Sequence, residues 1–266
     1  KPDVTHGVTT NPESGFPTLA TEWESYPVDT TTYLGWHTFT PGMPAAAAPT
    51  FNPTGGIFSA PITVTISCSS PGVTIRYTTD GSIPTETLGT IYTSPISITT
   101  TTTLKAVAYG NGYSVSPAAQ AHYIFPINVA TIAELRAGTP GVYYKYTGTA
   151  VITFQQAFRH QKFIQDNTAA ILIDDNSGAI TTTYNLYDGI SNIVGTVAEY
   201  GGMMQLTPLA DPGPAVSTGN VIIPQEISLN ELVTNFEEYE SELIRVMGVS
   251  FDNAESGLTF INGTLY

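Results

Sequence analysis

Cysteine is nearly missing from this 266-residue chain: there is one, Cys68. No disulfide can form within a single copy, so stability must come from packed cores and backbone hydrogen bonds rather than covalent staples. Basic residues are scarce too. Eight Lys and Arg stand against 22 Asp and Glu, a formal net charge of −14, and so acidic a surface repels phosphate backbones and anionic bilayers. Nucleic acid is therefore not favoured as a partner. No apolar run approaches the ~18 residues that a spanning helix needs, so no membrane insertion is expected. No secretory leader stands at Lys1, and the chain is expected either to have lost one or to be part of a longer polypeptide.

Charged residues of both signs make up only 11% of the chain. Threonine, glycine, proline and tyrosine take their place, and β-branched and aromatic side chains suit a pleated, half-buried surface better than a helix. The hydrophobic fraction of 41% is that of packed cores rather than of disorder. A mostly β protein follows. Cys68 lies in the alternating run ITVTISCSS and is expected to behave as a small apolar residue facing a core.

Residues 1–49 read as an irregular N-terminal arm and linker, or the tail of an upstream domain, broken by Asn11-Pro12, Phe16-Pro17, Tyr26-Pro27 and Pro41-Gly42. The stretch Ala45 to Pro49 reads as its linker. From residue 50 to 125 short alternating strands recur, ITVTIS, VTIRYTT, PISIT and TLKAVAYG, at the spacing of a small antiparallel sandwich. Asp80-Gly81 sits between two of them, and its carboxylate is expected to close a turn on local backbone N–H groups rather than to act in catalysis or ligand binding.

Three motifs in order, PTFNPTGG, IRYTTDGSIP and TTTLKAVA, carry a resemblance to the chitobiase/β-hexosaminidase C-terminal type repeat over residues 50–125. It implies an immunoglobulin-like β-sandwich that accompanies catalytic or adhesive domains without being catalytic.

Residues 126–222 form the next unit. ATIAELRAG has the Thr-x-x-Glu pattern of a capped short helix, and the runs after it read as curved strands bending at Gly148 and Gly195, as in a small closed barrel. TIAEL, GTAVIT, FIQDNTAAILI and VGTVAEYGGMMQLTP resemble the OB-like barrel modules of multidomain surface and secreted proteins of the Bacteroidota. EISLNELVTNFEEYESELIRVMGVSFDN then repeats the logic of a capped Glu-Leu helix followed by a strand ending at glycine. A second, incomplete OB-like unit is thus expected over 223–266, either a fragment or a unit that borrows strands.

Chemistry is harder to find. His6, His37, His122 and His160 are dispersed, no HExxH, phosphate loop or Gly-x-Ser-x-Gly elbow occurs, and neither enzymatic activity nor a cofactor is expected. Asp174, Asp175 and Asn176 offer oxygen ligands suited to Ca²⁺ without the full acidic loop, and a tight turn accounts for them equally. Tyr144, Tyr146, Phe158 and Phe163 are candidates for an aromatic, glycan-contacting platform on the barrel, and core packing is the competing account. Arg159, His160 and Lys162 make the one local basic cluster. Asp29-Thr30-Thr31 is similar to the O-glycosylation pattern of exported Bacteroidota proteins, with Thr30 the acceptor, and Asn262-Gly263-Thr264 is a formal sequon.

The expected function is that of a non-enzymatic extracellular or outer-surface segment, acting as spacer, adhesive or weak carbohydrate-contacting region. Its partners would be other domains of the same polypeptide, surface glycans or identical subunits. A fibre subunit assembled by strand exchange and an accessory region of a secreted hydrolase or nuclease are the rival readings.

Overall fold

The structure is a computed structural model and describes residues 43–248. The arm from residue 1 to 42, with Thr30, His6 and His37, and the sequon at Asn262 fall outside the described residues. From Ala45 onward the described chain belongs to one compact unit.

The first part is built from β1 (Thr50–Asn52), β2 (Gly56–Ile57), β3 (Ile62–Ser67), β4 (Thr74–Thr78), β5 (Thr90–Ile91), β6 (Ile96–Ile98), β7 (Thr102–Tyr109) and β8 (Ala119–Ile124). They form two sheets, in the orders β1-β3-β6 and β2-β8-β7-β4-β5. Alternation along β3 and β8 sends Val64, Ile66, Ala121 and Tyr123 inward, onto Leu104 and Ala106 of β7 and Ile98 of β6. The result is a sandwich around one apolar layer. Its pairings are antiparallel except one: β2 runs parallel to β8, Gly56 opposite Tyr123. Gly55 makes that approach possible, because a Cβ there would lie 2.6 Å from the carbonyl oxygen of His122.

The Ala45 to Pro49 stretch is not a free linker. Ala46 is buried and its N–H donates to the Ser114 carbonyl at 3.0 Å, and the half-buried Cys68 thiol donates to the Ala47 carbonyl at 3.1 Å. Asp80 closes its turn as its position demands, accepting from Ser82 N–H at 2.9 Å and Ser82 Oγ at 2.6 Å.

The second part comprises β9 (Ile127–Val129), α1 (Ile132–Arg136), β10 (Tyr143–Tyr146), β11 (Ala150–Gln155), β12 (Lys162–Gln165), β13 (Ala170–Ile173), β14 (Gly189–Ile190), β15 (Ile193–Tyr200) and β16 (Met203–Pro208). One curved sheet contains them, in the order β14-β11-β12-β13-β16-β15-β10-β9. Its concave side holds Ile152, Ile164, Ile171, Ile173, Ile193, Val197 and Leu206, with Ile132 and Leu135 of α1 closing one end. Gly148 and Gly195 are required by close approach: a Cβ would lie 2.2 Å from the Ala130 carbonyl at the first and 2.3 Å from the Thr207 carbonyl at the second.

Helix α1 starts as its sequence dictates. Thr131 accepts from the Glu134 N–H, and Glu134 reaches back to the Thr131 and Ala130 N–H groups at 3.1 and 2.8 Å. A third group completes the corner: Asp166, which follows β12, accepts from the Ile132 N–H at 2.8 Å and from the Tyr146 hydroxyl at 3.1 Å. Its other oxygen accepts from Thr168 N–H, Thr168 Oγ1 and Ala169 N–H.

A last element group follows, β17 (Gln225–Ile227), α2 (Leu229–Thr234), a 3₁₀ turn at Phe236–Tyr239 and β18 (Ile244–Val246), with β17 and β18 parallel. It copies β9-α1-β10, also a parallel pair spanned by a capped helix. The Met247 N–H donates to the Ile227 carbonyl where Thr147 donates to Val129 in the first copy.

Replacing Asp166 by Ala is expected to cost about 1–3 kcal/mol, because the buried Tyr146 hydroxyl and a helix N-terminus lose their acceptor together. Urea denaturation of Asp166→Ala, Tyr146→Phe and the double variant checks it, and the two effects should be non-additive.

Candidate functional site

Strands β11 and β12 form a hairpin whose register slips between Ile152 and Phe154. Strict alternation would send Phe154 inward after Ile152. The extra residue of the bulge reverses that phase, so Thr153 is buried, donating to the Phe163 carbonyl at 3.3 Å, and Phe154 turns to solvent at 51% exposure. Phe154 and Phe163, opposite each other, meet edge to face with centroids 5.7 Å apart.

The hairpin tip is strained. Arg159 and His160 both take left-handed backbone conformations, φ 50° and 49°, with the Gln161 N–H donating to the Phe158 carbonyl at 3.1 Å. Two successive left-handed residues make the tight turn that Asn-Gly normally supplies, and side chains larger than these cost about 1–3 kcal/mol per such residue unless the surroundings impose it.

Here the surroundings do. Arg159 holds Asp174 with two parallel hydrogen bonds, Nε to Oδ1 at 2.7 Å and Nη2 to Oδ2. Gln161 Nε2 donates to the same carboxylate at 3.1 Å, His160 Nδ1 lies 3.2 Å from the Asp175 carbonyl, and Lys162 Nζ donates to the His160 carbonyl at 3.0 Å. The Arg159 hydrogen bond, assisted by Gln161, holds the Asp174 carboxyl below the usual range against the opposing effect of burial. Burial lowers the pKa of Lys162, with Asp175 and Asp211 opposing it.

The turn carries Phe158 at its apex, 68% exposed. Exposed Tyr200, at the end of β15, stands near enough to influence the Arg159 charge. Gln155, Gln156 and Gln161 supply neutral amides along the same hairpin, Gln156 Nε2 donating to Gln161 Oε1 at 2.5 Å.

The four rings expected to share a platform do not share one. Tyr144 and Tyr146 are 7% and 1% exposed and belong to the barrel core. They occupy the inward phase of β10, whose outward phase falls to Tyr143 and Lys145. Their hydroxyls are used inside, Tyr144 accepting from the Thr139 N–H at 2.8 Å and Tyr146 donating to Asp166. Phe158 and Phe163 remain, joined by Phe154. Tyr200 was not anticipated, although Glu-Tyr-Gly-Gly at a hairpin end is a place where an aromatic ring has no core to enter.

The basic cluster is likewise consumed: Arg159 is paired and Lys162 is buried. At Asp174 to Asn176 the carboxylates already have protein donors, Asp174 as described and Asp175 accepting from Ala179 and Ile180 N–H at 2.7 and 3.0 Å. Among the described residues no three of His, Cys, Asp and Glu converge as metal ligands. Asp211 is a similar clamp. Thr181 Oγ1, Gly213 N–H and the Thr182 hydroxyl and N–H all donate to it, holding its pKa well below the usual carboxylate range.

Residues 53–120 match the chitobiase/beta-hexosaminidase C-terminal domain. The match lies within the sandwich, and the chitobiase C-terminal domain is non-catalytic, an accessory to carbohydrate-active enzymes. No curated protein matches the chain. The aromatic hairpin therefore lies outside the chitobiase-type stretch and stands on its own geometry.

Because Asp174 titrates lower in the folded than in the unfolded chain, its stabilisation of the tip is complete above the ordinary Asp value of about 3.9 and is lost as pH falls through the lower folded value. Amide protection at 156–162, taken relative to the unstructured chain at the same pH, should thus stay level between about pH 7 and 5 and fall below about 4. In Asp174→Asn it should be low already at neutral pH and show no such step.

Proposed function

We propose that the chain is a non-enzymatic extracellular or cell-surface segment of a modular protein, in which the chitobiase-type sandwich is a spacer and the β11–β12 hairpin contacts carbohydrate weakly. One observation carries the second half of this reading: Phe154, Phe158 and Phe163 lie on one hairpin, two of them exposed, and the tip is held in a strained turn by the bidentate pairing of Arg159 with the buried Asp174 carboxylate. Such strain persists where the surroundings over-determine it, and it clusters at binding elements.

Sugars are recognised by apolar ring faces against aromatic planes and by neutral hydrogen bonders at their hydroxyls. Both are present here, in the exposed rings and in the exposed Gln156 amide, while Gln155 Nε2 is taken up by the Tyr184 carbonyl at 3.0 Å and Gln161 Nε2 by Asp174. A nucleic-acid ligand would need free positive charge, which the Arg159–Asp174 pair and the burial of Lys162 remove. The accessory-region reading keeps its place, since the match at residues 53–120 is to a domain type that accompanies carbohydrate-active enzymes. It differs only in what the segment is attached to. The fibre reading rests on strand addition by the N-terminal arm, which lies outside the described residues, and on strands left unpaired in the incomplete second unit.

Retention on insoluble chitin and mannan tests the proposal. Phe158→Ala should weaken retention about tenfold, equivalent to about 1.4 kcal/mol, and leave thermal unfolding nearly unchanged because the residue is 68% exposed. Retention by Phe158→Ala and Phe154→Ala equal to that of the parent chain, or none by the parent on either polymer, would sink it.

A further inference from the structure

The β17-α2-β18 group should not be able to hold its shape alone. Helix α2 is six residues long and buries none of them, leaving Leu229 and Val233 exposed, whereas Ile132 and Leu135 of α1 are fully enclosed. The ladder between β17 and β18 spans three residue pairs, supported by the exposed Arg245–Glu226 ion pair at 2.9 Å. A helix this short is marginal in water, a two-stranded pair is no better, and an exposed ion pair contributes little.

What holds the group lies on the barrel. Strands β13 and β16 run parallel through only two residue pairs, Leu172 with Gln205 and Ile173 with Leu206. Toward Ala170 and Met204 they diverge, leaving ladder groups to be satisfied by something else. The loop before β18 fills that split. Buried Glu240 accepts from the Met204 N–H at 2.9 Å through Oε1 and pairs with Arg136 Nη2 at 3.2 Å through Oε2. Arg136, on the last turn of α1, also donates to the carbonyls of Ala170 at 3.4 Å, Glu240 at 3.2 Å and Glu237 at 3.4 Å. Gln165 at the end of β12 accepts from the Leu243 N–H at 2.9 Å.

We propose that this split rim, made by Arg136, Gln165, Ala170 and Met204, is a docking site for the acidic loop Phe236 to Leu243 of the following repeat, and that the joint locks barrel and repeat into one mechanical body. The partner is fixed by its chemistry: an acidic 3₁₀ turn and the loop after it, which bring one carboxylate to a backbone N–H and a guanidinium together. Breaking one side of a buried pair leaves the other charge uncompensated, so the joint has a defined closed geometry rather than a range. This deepens the spacer half of the proposed function and rests on it, giving a stiff spacer instead of a hinged one.

The test is a spin-label distance measurement on the full chain, with labels at Glu199→Cys on the barrel and Asn230→Cys on α2, in a Cys68→Ser background. The parent should give one narrow distance. Arg136→Met and Glu240→Gln should each broaden it, by about twofold in width, because unlatched modules move relative to one another by default. Amide exchange at Met204 should quicken in Arg136→Met, while the barrel's melting transition stays cooperative. If Arg136→Met does not fold, Glu240→Gln decides, since it keeps Oε1 for the Met204 N–H. A broad distance in the parent, or an unchanged width in the variants, would overturn the joint. Chitin retention reads the hairpin and should be unaffected by either variant, so the two proposals fail separately.

Discussion

The barrel depends on one carboxylate. Asp166 is the point where a strand end, a helix start and a core tyrosine are tied together, and two of its partners, the Ile132 N–H and the Tyr146 hydroxyl, are groups drawn away from water. Without an acceptor there, the Ile132 N–H would face the apolar end of the barrel, and the Tyr146 hydroxyl, whose titration burial and Asp166 push upward, would have no partner. The capping box of Thr131 and Glu134 covers other N–H groups of the same helix start but cannot reach the tyrosine. Core packing of Ile132 and Leu135 follows from this corner, because it fixes where α1 lies against β10 and β13.

The same economy recurs beside that corner, at the opposite end of the short helix α1. Parallel strands that diverge leave open ladder groups, and here a carboxylate and a guanidinium from separate repeats close the gap. The hairpin tip uses an ion pair differently. There Asp174 and Arg159 do not fill a gap but impose a backbone conformation that neither Arg159 nor His160 would choose. Of the described ion pairs, one closes a joint and one holds a turn, while the third, Arg245–Glu226, lies exposed across the β17–β18 ladder. That placement leaves the aromatic residues of the hairpin as its most exposed feature, flanked by amides and free of unpaired charge.

How much of this could be read from the residues alone depended on the range of the interaction. The succession of strands, the turn at Asp80 and the capped helices were legible because each is fixed by neighbours within a few residues; the bends at Gly148 and Gly195 were legible as glycines inside strand runs, though the carbonyls that demand them are 18 and 12 residues away. The parallel pairings of β2 with β8 and of β13 with β16 were not, since alternation along a strand carries no information about its partner's direction. The aromatic platform was half legible. Both faces of β10 carry tyrosines, and only the curvature of the sheet says which phase is inside. For Phe154 the bulge decided, and a bulge is a property of a strand pair.

The sequence by itself determined a β-rich, cysteine-poor, acidic chain with a chitobiase-type sandwich, a glycine-bent second unit and a repeat of its capped corner, because local backbone preference and side-chain period suffice for those. Only the tertiary structure decided which rings face solvent, that Asp174 serves an arginine, and that Glu240 belongs to a barrel about a hundred residues earlier in the chain. Those outcomes turn on which groups are left without a hydrogen-bond partner when sheets close. That is settled by the whole assembly and by no single stretch of it.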